Sequence, residues 1–436
     1  MKLEPRLNRP ETIQELVRQL GSLFPQATVR YGPELPCPLD GHGSDDPGRI
    51  LVSLVAQEHV SGAACEIMLE RGFDANEARF IRFFARVFNE DVKTASRWRQ
   101  DEELWFSLQQ TRLARVIARF TPFHTTIFLK WLRTLENATS LRYEGQPFAT
   151  QLVLTKSLDT IRESAGLDYV RFSDRMSLTR ALFEEKWTRA LAAHGDLALV
   201  GLGRDKGIVG IAHPHPEAAP HADLVAPHSG LEPFCSMLVP GTLGFIASRQ
   251  GDLRILLSSG VTFMKSQGRW SLVNLRLLES SLAQTLDPVV AAAVTRLAAD
   301  LSFEGQGALL CCIDDPGLIA DMVPDHLKKD RVGRALRLMN RNLNLGNQAH
   351  QKILRRVATI DGAIVFARDG TVLDSASMIS DPSQAILAEE GLSERARFAG
   401  ARSAAAWNAS LYGVAVKVSE DGPITVFRRG QLILQL

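Results

Sequence analysis

The stretch DGAIVFARDGTVLDSASM, residues 361–378, decides the fold class of the last third of the chain. Its apolar run predicts a buried strand, its Arg-Asp-Gly sequence predicts a turn, and the residues that follow predict a returning strand. An apolar strand is predicted upstream in GALLCCID (307–314), and another hairpin downstream in GVAVKVSEDGPITVFRRGQLIL (413–434). Helical patterns lie before and between these strands, so we expect a mixed sheet covered by helices.

The rest of the chain shows two other patterns. Between about residues 50 and 135 the apolar residues recur at helical spacing, which predicts a helical bundle. After residue 143 short apolar runs alternate with Gly, Asp and Ser turns, which predicts strands. We therefore expect a mixed α/β protein with a helical N-terminal domain (1–140), a strand-rich middle domain (141–287) and a mixed-sheet domain flanked by helices (288–436).

The composition narrows the class of protein. Hydrophobic residues make up 45% and charged residues 23% of the 436 residues, which is the balance of a folded protein. Because 50 basic residues are matched by 49 acidic ones, no overall charge attracts nucleic acid or a membrane surface. No apolar run is long enough for a spanning helix, and the N-terminus does not resemble a signal peptide. We expect a cytoplasmic protein with no membrane or nucleic-acid partner.

Three short motifs follow one another in the C-terminal domain. They are Asp361-Gly362-Ala363, GARSAAA (400–406) and VSEDG (418–422). In their order and predicted elements they resemble the diadenylate cyclase (DAC) family, whose members condense two ATP molecules into cyclic di-AMP. The family's motifs are Asp-Gly-Ala, Gly-Thr-Arg-His-Arg-Ala-Ala, and a strand that ends in Val-Ser-Glu before a glycine turn. The resemblance covers about a third of the chain.

The resemblance implies roles for these residues. In the family the aspartate of the first motif helps to hold a metal ion, and the Arg-His-Arg run binds phosphate, for which the forked guanidinium is suited. It therefore implies Asp361 as the metal ligand and Mg²⁺ or Mn²⁺ as a cofactor that accompanies a bound nucleotide. The nucleotide-binding residues that it implies are Asp361, Gly362, Ala363, Gly400, Arg402, Ser403, Ser419 and Glu420.

The second motif departs from the family pattern. Arg402 aligns with the first arginine, whereas Ser403 and Ala404 replace the histidine and the second arginine, and Ala401 replaces the threonine. Losing a cationic phosphate contact typically costs a few kcal/mol, on the order of 3 kcal/mol, of transition-state stabilisation. We expect no fully competent catalytic residue, and a domain that senses an adenine nucleotide or cyclic dinucleotide, similar to noncatalytic members of the superfamily proposed as sensors.

Two alternatives stay open. The first is an active diadenylate cyclase that uses Asp361, Arg402 and a metal ion despite the altered motif. The second is a structural interaction protein that binds no ligand, in which Asp361 is a turn residue bonded to its own backbone and Arg402 is a surface charge. Likewise, Ser419 and Glu420 are consistent with ordinary turn and edge positions.

Two segments of the middle region parallel the C-terminal hairpins. Residues 196–213 match 361–378 in pattern, and residues 244–264 match 413–434. The match predicts a degenerate internal duplicate. In the DAC family two subunits, each with one ATP, face each other, and the duplicate would supply both halves of that pair in one chain. The alternative is that the hairpins are unrelated, and a different strand order would show it.

The remaining polar clusters predict less specific roles. Arginines mix with aromatic residues between 79 and 119, but interleaved acidic residues favour a solvated bundle face over a nucleic-acid site. A bundle that docks a protein partner is equally open. Histidines 213, 215, 221 and 228 stand among prolines, which favours an exposed loop over a metal site.

Overall fold

The structure is a computed structural model, in which the chain forms two compact units. The N-terminal unit consists of Met1–His221 and Pro233–Val273, and the C-terminal unit consists of Ala222–Glu232 and Asn274–Leu436. The residues that the structure describes are 10–24, 26–32, 48–54, 63–97, 102–143, 146–147, 149–162, 166–192, 195–203, 207–215, 217–218, 224–248, 251–266, 268–324, 338–340 and 342–436.

The N-terminal unit begins with a helix, a small sheet and three longer helices. These elements are α1 (Pro10–Leu23), β1 (Thr28–Gly32), β2 (Arg49–Leu54), β3 (Ala63–Met68), α2 (Ala75–Arg97), α3 (Glu102–Phe120) and α4 (Thr125–Thr139). The strands form an antiparallel sheet in the order β1-β3-β2. The predicted bundle is therefore limited to α2, α3 and α4. The helical prediction was wrong for residues 50–54 and 63–68, which form β2 and β3; Cys65 and Ile67 are buried two positions apart, as in a strand.

A larger mixed sheet follows in the same unit. Its strands run in the order β13-β12-β11-β10-β6-β8-β9-β7, and only the β6–β8 pair is parallel. The elements after α4 are β4 (Arg142–Tyr143), β5 (Gln146–Pro147), β6 (Thr150–Thr155), α5 (Leu158–Arg162), β7 (Leu167–Ser177), α6 (Arg180–Glu184), α7 (Lys186–Ala192), β8 (Ala198–Leu202), β9 (Gly207–Pro214), α8 (Glu232–Ser236), β10 (Thr242–Ala247), β11 (Leu253–Leu257), β12 (Thr262–Ser266) and β13 (Arg269–Val273).

The helices and the larger sheet share one core. The rings of Phe80 on α2 and Phe120 on α3 lie 5.4 and 5.7 Å from the ring of Phe263 on β12. On the same face of the sheet, Phe128 of α4 lies 6.0 Å from Phe245 of β10. A sheet must bury its apolar face against another layer, and here the helices provide that layer. The helices and the larger sheet therefore form one unit, which ends at residue 273. The sequence had predicted boundaries at residues 140 and 287 instead.

The C-terminal unit contains a six-stranded sheet in the order β16-β15-β14-β17-β18-β19. β14 is parallel to β15 and antiparallel to β17, so the predicted mixed sheet and the mixed α/β class are confirmed. Its elements are α9 (Leu275–Ala283), α10 (Pro288–Glu304), β14 (Ala308–Ile313), α11 (Ile319–Met322), α12 (Gln351–Ala358), β15 (Ala363–Ala367), β16 (Val372–Ser377), α13 (Gln384–Glu389), α14 (Ala401–Ser410), β17 (Gly413–Val418), β18 (Ile424–Arg428) and β19 (Gln431–Gln435).

A short segment that lies between two parts of the N-terminal unit belongs to the C-terminal unit. In this segment, Ala222–Glu232, the backbone N–H and the hydroxyl of Ser229 donate to the carboxylate of Asp300 at 2.6 and 2.9 Å. Asp300 lies on α10, and Glu232 of the segment pairs with Arg296 of that helix at 3.1 Å. Asp300 is only 6% exposed, so the segment supplies hydrogen bonds to a buried carboxylate.

The two larger sheets have the same strand order and directions. In each, a central strand (β6 or β14) is parallel to one neighbour (β8 or β15) and antiparallel to the other (β10 or β17). β9, β11 and β12 occupy the places that β16, β18 and β19 occupy in the C-terminal sheet. The N-terminal sheet adds one strand at each edge. This is the order that an internal duplicate requires.

The correspondence extends to a turn. The Ser248 N–H donates to the Asp252 carbonyl at 2.9 Å, and the Gly251 N–H to the Ser248 carbonyl at 3.0 Å. In the C-terminal unit, Ser419 donates to the Pro423 carbonyl and receives a bond from the Gly422 N–H at the same two distances. Each turn follows the strand antiparallel to the central strand, which supports the interpretation as a duplicate.

Candidate functional site

The sequence motifs meet at one edge of the C-terminal sheet. The register pairs Ala308, the first residue of β14, with Val418, the last residue of β17. It also places Ala363, the first residue of β15, on the other side of β14 at the same end. Because neighbouring strands are about 4.8 Å apart, the first and third motifs lie about 10 Å apart. We call this end of β15, β14 and β17, with the first turn of α14, the motif edge.

Arg402 lies at the motif edge in the first turn of α14. Its Nη1 is 3.4 Å from Oε1 of Glu420, in an ion pair. The guanidinium also lies over Gly307, where an added Cβ would come within 2.2 Å of Nη1. Gly307 therefore leaves the space that Arg402 fills. The Arg402 side chain is 39% exposed, so a ligand can still reach it.

A second cation, Lys417, lies beside Arg402. The Lys417 Nζ donates to the Ser403 hydroxyl at 3.0 Å. Partial burial lowers the pKa of Lys417, against the attraction of Asp421, and repulsion from Arg402 lowers it further. An anion between the two cations would relieve that repulsion, because a phosphate attracts both.

The N-terminus of α14 adds peptide N–H groups to the same place. Gly400 is the N-cap residue, and as a glycine it has no side chain that could cap the first turn. The first N–H groups of a helix lack partners within the helix and carry partial positive charge. With Arg402 and Lys417, they form a surface with the chemistry of a phosphate site.

The Asp-Gly-Ala turn requires glycine for a structural reason. Gly362 has a φ of 109°, and a Cβ there would lie 2.5 Å from the Ala376 carbonyl carbon and 2.7 Å from the Ser377 nitrogen. The backbones of β15 and β16 therefore approach too closely for any other residue. Ala363 is buried, whereas Asp361 is exposed and available to a ligand.

The donor set at Asp361 limits how a metal ion could bind. Across the described ranges, no three His, Cys, Asp or Glu side chains gather in a way that could hold a metal ion. One exposed carboxylate suits Mg²⁺ or Mn²⁺ when phosphate oxygens and water provide the other ligands, which is how Mg²⁺ commonly binds in nucleotide sites. Asp361 fits an ion that arrives with a nucleotide.

The predicted histidine loop is divided in the structure. His213 and His215 each approach Asp168, at 3.5 and 3.4 Å, and all three side chains are at least 42% exposed. His228 lies in the C-terminal unit, where its Nδ1 accepts from the Gly230 N–H at 2.9 Å. His221 lies outside the described residues.

Two contacts at the motif edge were not predicted from the sequence. They involve Gly307 and Lys417. The signal for Lys417 was its position as the single charged residue in the apolar strand GVAVKV.

Asp314, which follows β14, does not belong to the motif edge. It lies at the opposite end of this six-residue strand, about 20 Å from the motif edge, and pairs with Arg368 at 3.0 Å.

The last two predicted residues also have structural roles. Ser419 forms the turn after β17 through its backbone, and Glu420 neutralises Arg402. Neither role excludes contact with a ligand.

No protein-family model and no curated protein matches the sequence.

Proposed function

We propose that the C-terminal unit is a sensor module that binds an adenine nucleotide or cyclic dinucleotide at the motif edge without converting it. The observation that carries the proposal is the convergence of Arg402, Lys417 and the α14 N-terminus. Three sources of positive charge at one sheet edge complement a phosphate or diphosphate. The choice of adenine follows from the resemblance to the DAC family.

The same geometry supports binding over catalysis. Position 404 is an alanine, so α14 offers one arginine where the family has two. The Ser403 hydroxyl accepts a hydrogen bond from Lys417, and serine cannot take up a proton at neutral pH as histidine does. A site with fewer cations stabilises the charge that develops during nucleotidyl transfer less well. When an Mg²⁺ ion accompanies the nucleotide, Asp361 would hold it.

The proposal includes a cytoplasmic location and a protein partner that reads the bound state. No helix in the described part of the chain is long and apolar enough to cross a membrane.

The test is calorimetry of the full chain with ATP and with cyclic di-AMP, each with and without Mg²⁺. We expect one of these ligands to bind, and no cyclic di-AMP to form when the protein is incubated with ATP and Mg²⁺ or Mn²⁺. Formation of cyclic di-AMP would instead identify an active cyclase. If neither nucleotide binds, the chain is better explained as an interaction protein without a ligand.

Replacing Arg402 with alanine is expected to weaken nucleotide binding by about 10- to 100-fold, because a hydrogen bond to a charged group contributes roughly 1.5–3 kcal/mol. The matched control is Arg368→Ala. Arg368 is also exposed and also pairs with a carboxylate, that of Asp314, but at the opposite end of β14. Calorimetry of both variants should show a loss only for Arg402→Ala. Equal losses would remove Arg402 from the site.

The affinity for ATP is expected to fall as the pH rises toward 10.5, the ordinary pKa of lysine, because burial lowers the pKa of Lys417. A bound phosphate favours the ammonium form, so the contribution of Lys417 is complete below its lowered pKa and is lost as the pH rises through it. The Lys417→Arg variant should keep its affinity over this range, because the guanidinium stays charged. Affinities measured across the range would show the difference.

Stability without nucleotide should change in the opposite direction. Over the range below 10.5, the unfolded chain binds more protons at Lys417 than the folded chain does, so the contribution of this residue to the stability of the C-terminal unit should rise with pH.

The affinity prediction has a clear contrary outcome. If the affinities of the wild type and of Lys417→Arg followed the same pH curve, Lys417 would not contact the ligand.

A further inference from the structure

A cleft of about 490 Å³ opens on the surface of the N-terminal unit. One wall is a face of α1 and another is a face of α3, while the β12–β13 hairpin contributes the rest. Along α3 the lining residues recur from Phe106 at intervals of three or four, so they form one continuous stripe. The volume is within the usual range for ligand sites, and it suits a few side chains rather than a folded domain.

The cleft combines aromatic and cationic side chains. Phe106 is 60% exposed on α3, while Trp270 of the hairpin is 8% exposed. Arg18, Lys265 and Arg269 also line the cleft. Arg18 pairs with Glu15, the carboxylate of the lining, at 2.8 Å, and Lys265 pairs with Glu136 at 2.7 Å, so the net charge is that of Arg269. Its lining therefore carries net positive charge beside an apolar surface, and three glutamine amides from α1 and α3 add hydrogen-bonding groups.

The layer next to the cleft has the same sign of charge. Arg112 is fully buried, and its Nη1 donates to Oε1 of Gln19, a lining residue, at 3.2 Å. Arg112 and Arg115 share one carboxylate, that of Asp91. Two cations against one anion leave this layer positive, and a buried charge is screened less by salt than an exposed one.

We propose that this cleft binds an acidic segment of a partner protein. Its carboxylates would meet Arg18 and Arg269, an apolar side chain next to them would pack between Phe106 and Trp270, and the glutamine amides would bond its backbone. Exposed aromatic residues and arginines are the side chains that most often dominate binding at protein interfaces. The glutamine amides match the N–H and C=O groups that repeat along a peptide backbone, which favours a peptide over nucleic acid. This inference concerns a different unit from the proposed nucleotide site and does not depend on it.

The test uses the full chain and a fluorescein-labelled peptide in which Asp and Glu alternate with Leu and Phe. A control peptide carries Lys in place of the acidic residues. Fluorescence anisotropy should show binding of the acidic peptide alone, and that binding should weaken as salt is added.

Two variants locate the peptide in the cleft. Arg269→Glu and Phe106→Ser should each weaken binding by at least about tenfold. The control, Arg276→Glu, changes an exposed arginine of α9 in the C-terminal unit and should bind as the wild type does. Because Phe106 is mostly exposed, its replacement should leave the melting temperature unchanged.

Three results with these peptides and variants would overturn the proposal. They are absence of binding by the acidic peptide, equal binding of the lysine peptide, and affinities that neither cleft variant changes. Displacement of the peptide by a single-stranded oligonucleotide at equal concentration would also overturn it, since the cleft would then be a nucleic-acid site.

Discussion

Replacing Asp91 with alanine is expected to lower the free energy of unfolding of the N-terminal unit by about 3–5 kcal/mol, the usual cost of removing one partner of a buried ion pair. The Asp91 side chain is 1% exposed, and its Oδ2 accepts from Arg112 Nε at 2.8 Å. It also accepts two hydrogen bonds from Arg115, at 2.6 and 2.9 Å. Without Asp91, two guanidinium groups would face each other with no carboxylate between them.

The burial of Arg112 explains why this loss should be large. Desolvation lowers the pKa of Arg112, and Asp91 is the main group that opposes the shift. The aromatic rings of Phe88 and Trp105, whose centroids lie 4.8 and 5.1 Å from the Arg112 Cζ, give weaker stabilisation. They cannot replace a carboxylate that forms hydrogen bonds with both arginines.

The neighbouring residue offers a matched control. Glu90 is on the same helix and pairs with Arg119 of α3, but both side chains are at least 33% exposed. Glu90→Ala should therefore cost no more than about 1 kcal/mol. Hydrogen exchange of peptides from residues 75–120, followed against urea, measures both variants within this unit. Similar losses for the two would mean that burial does not strengthen the Asp91 pairs.

Gly362→Ala is expected to destabilise the C-terminal unit by more than about 3 kcal/mol, from backbone strain together with overpacking. The φ of 109° is unfavourable for alanine, and the new Cβ would meet backbone atoms of Ala376 and Ser377 that no rotamer change can move. The turn must then open. Because Asp361 and Ala363 flank this residue, nucleotide binding should be lost as well.

Gly391→Ala is the control for this variant. Gly391 also has a positive φ, of 70°, but a Cβ there would meet nothing within 4 Å. Its cost should be the conformational term alone, roughly 1–2 kcal/mol. Urea denaturation, followed by hydrogen exchange in residues 351–436, compares the two. Equal costs would show that the contact between β15 and β16 is not tight, and retained binding would separate the turn from the nucleotide site.

Local patterns explain why the C-terminal unit was predictable. β14, β15 and β17 are apolar runs between turn residues, and a buried strand is recognised by such a run. The small sheet β1-β3-β2 was harder to predict from the sequence. β2 has only six residues, which is no longer than a short helical segment, and β3 contains a buried charged residue, Glu66. Periodicity cannot separate a short strand from a helical segment.

Long-range contacts explain what the sequence left open at the site. The order of the motifs predicted that Asp361, Arg402 and Glu420 belong together, and the structure places all three at the motif edge. The bond between Lys417 and Ser403 and the approach of Arg402 to Gly307 depend on how α14 packs against the sheet. No local pattern encodes that packing. Binding of a nucleotide stays a prediction.

The segment Ala222–Glu232 has a consequence for how the protein can be made and divided. The chain leaves the N-terminal unit, contributes this segment to the other unit, and returns, so no single proteolytic cut yields two complete units. A fragment that begins at Asn274 would leave Asp300 without its bonds from Ser229. During synthesis Ser229 leaves the ribosome 71 residues before Asp300. The segment therefore cannot form its hydrogen bonds with Asp300 until the whole N-terminal unit has been translated.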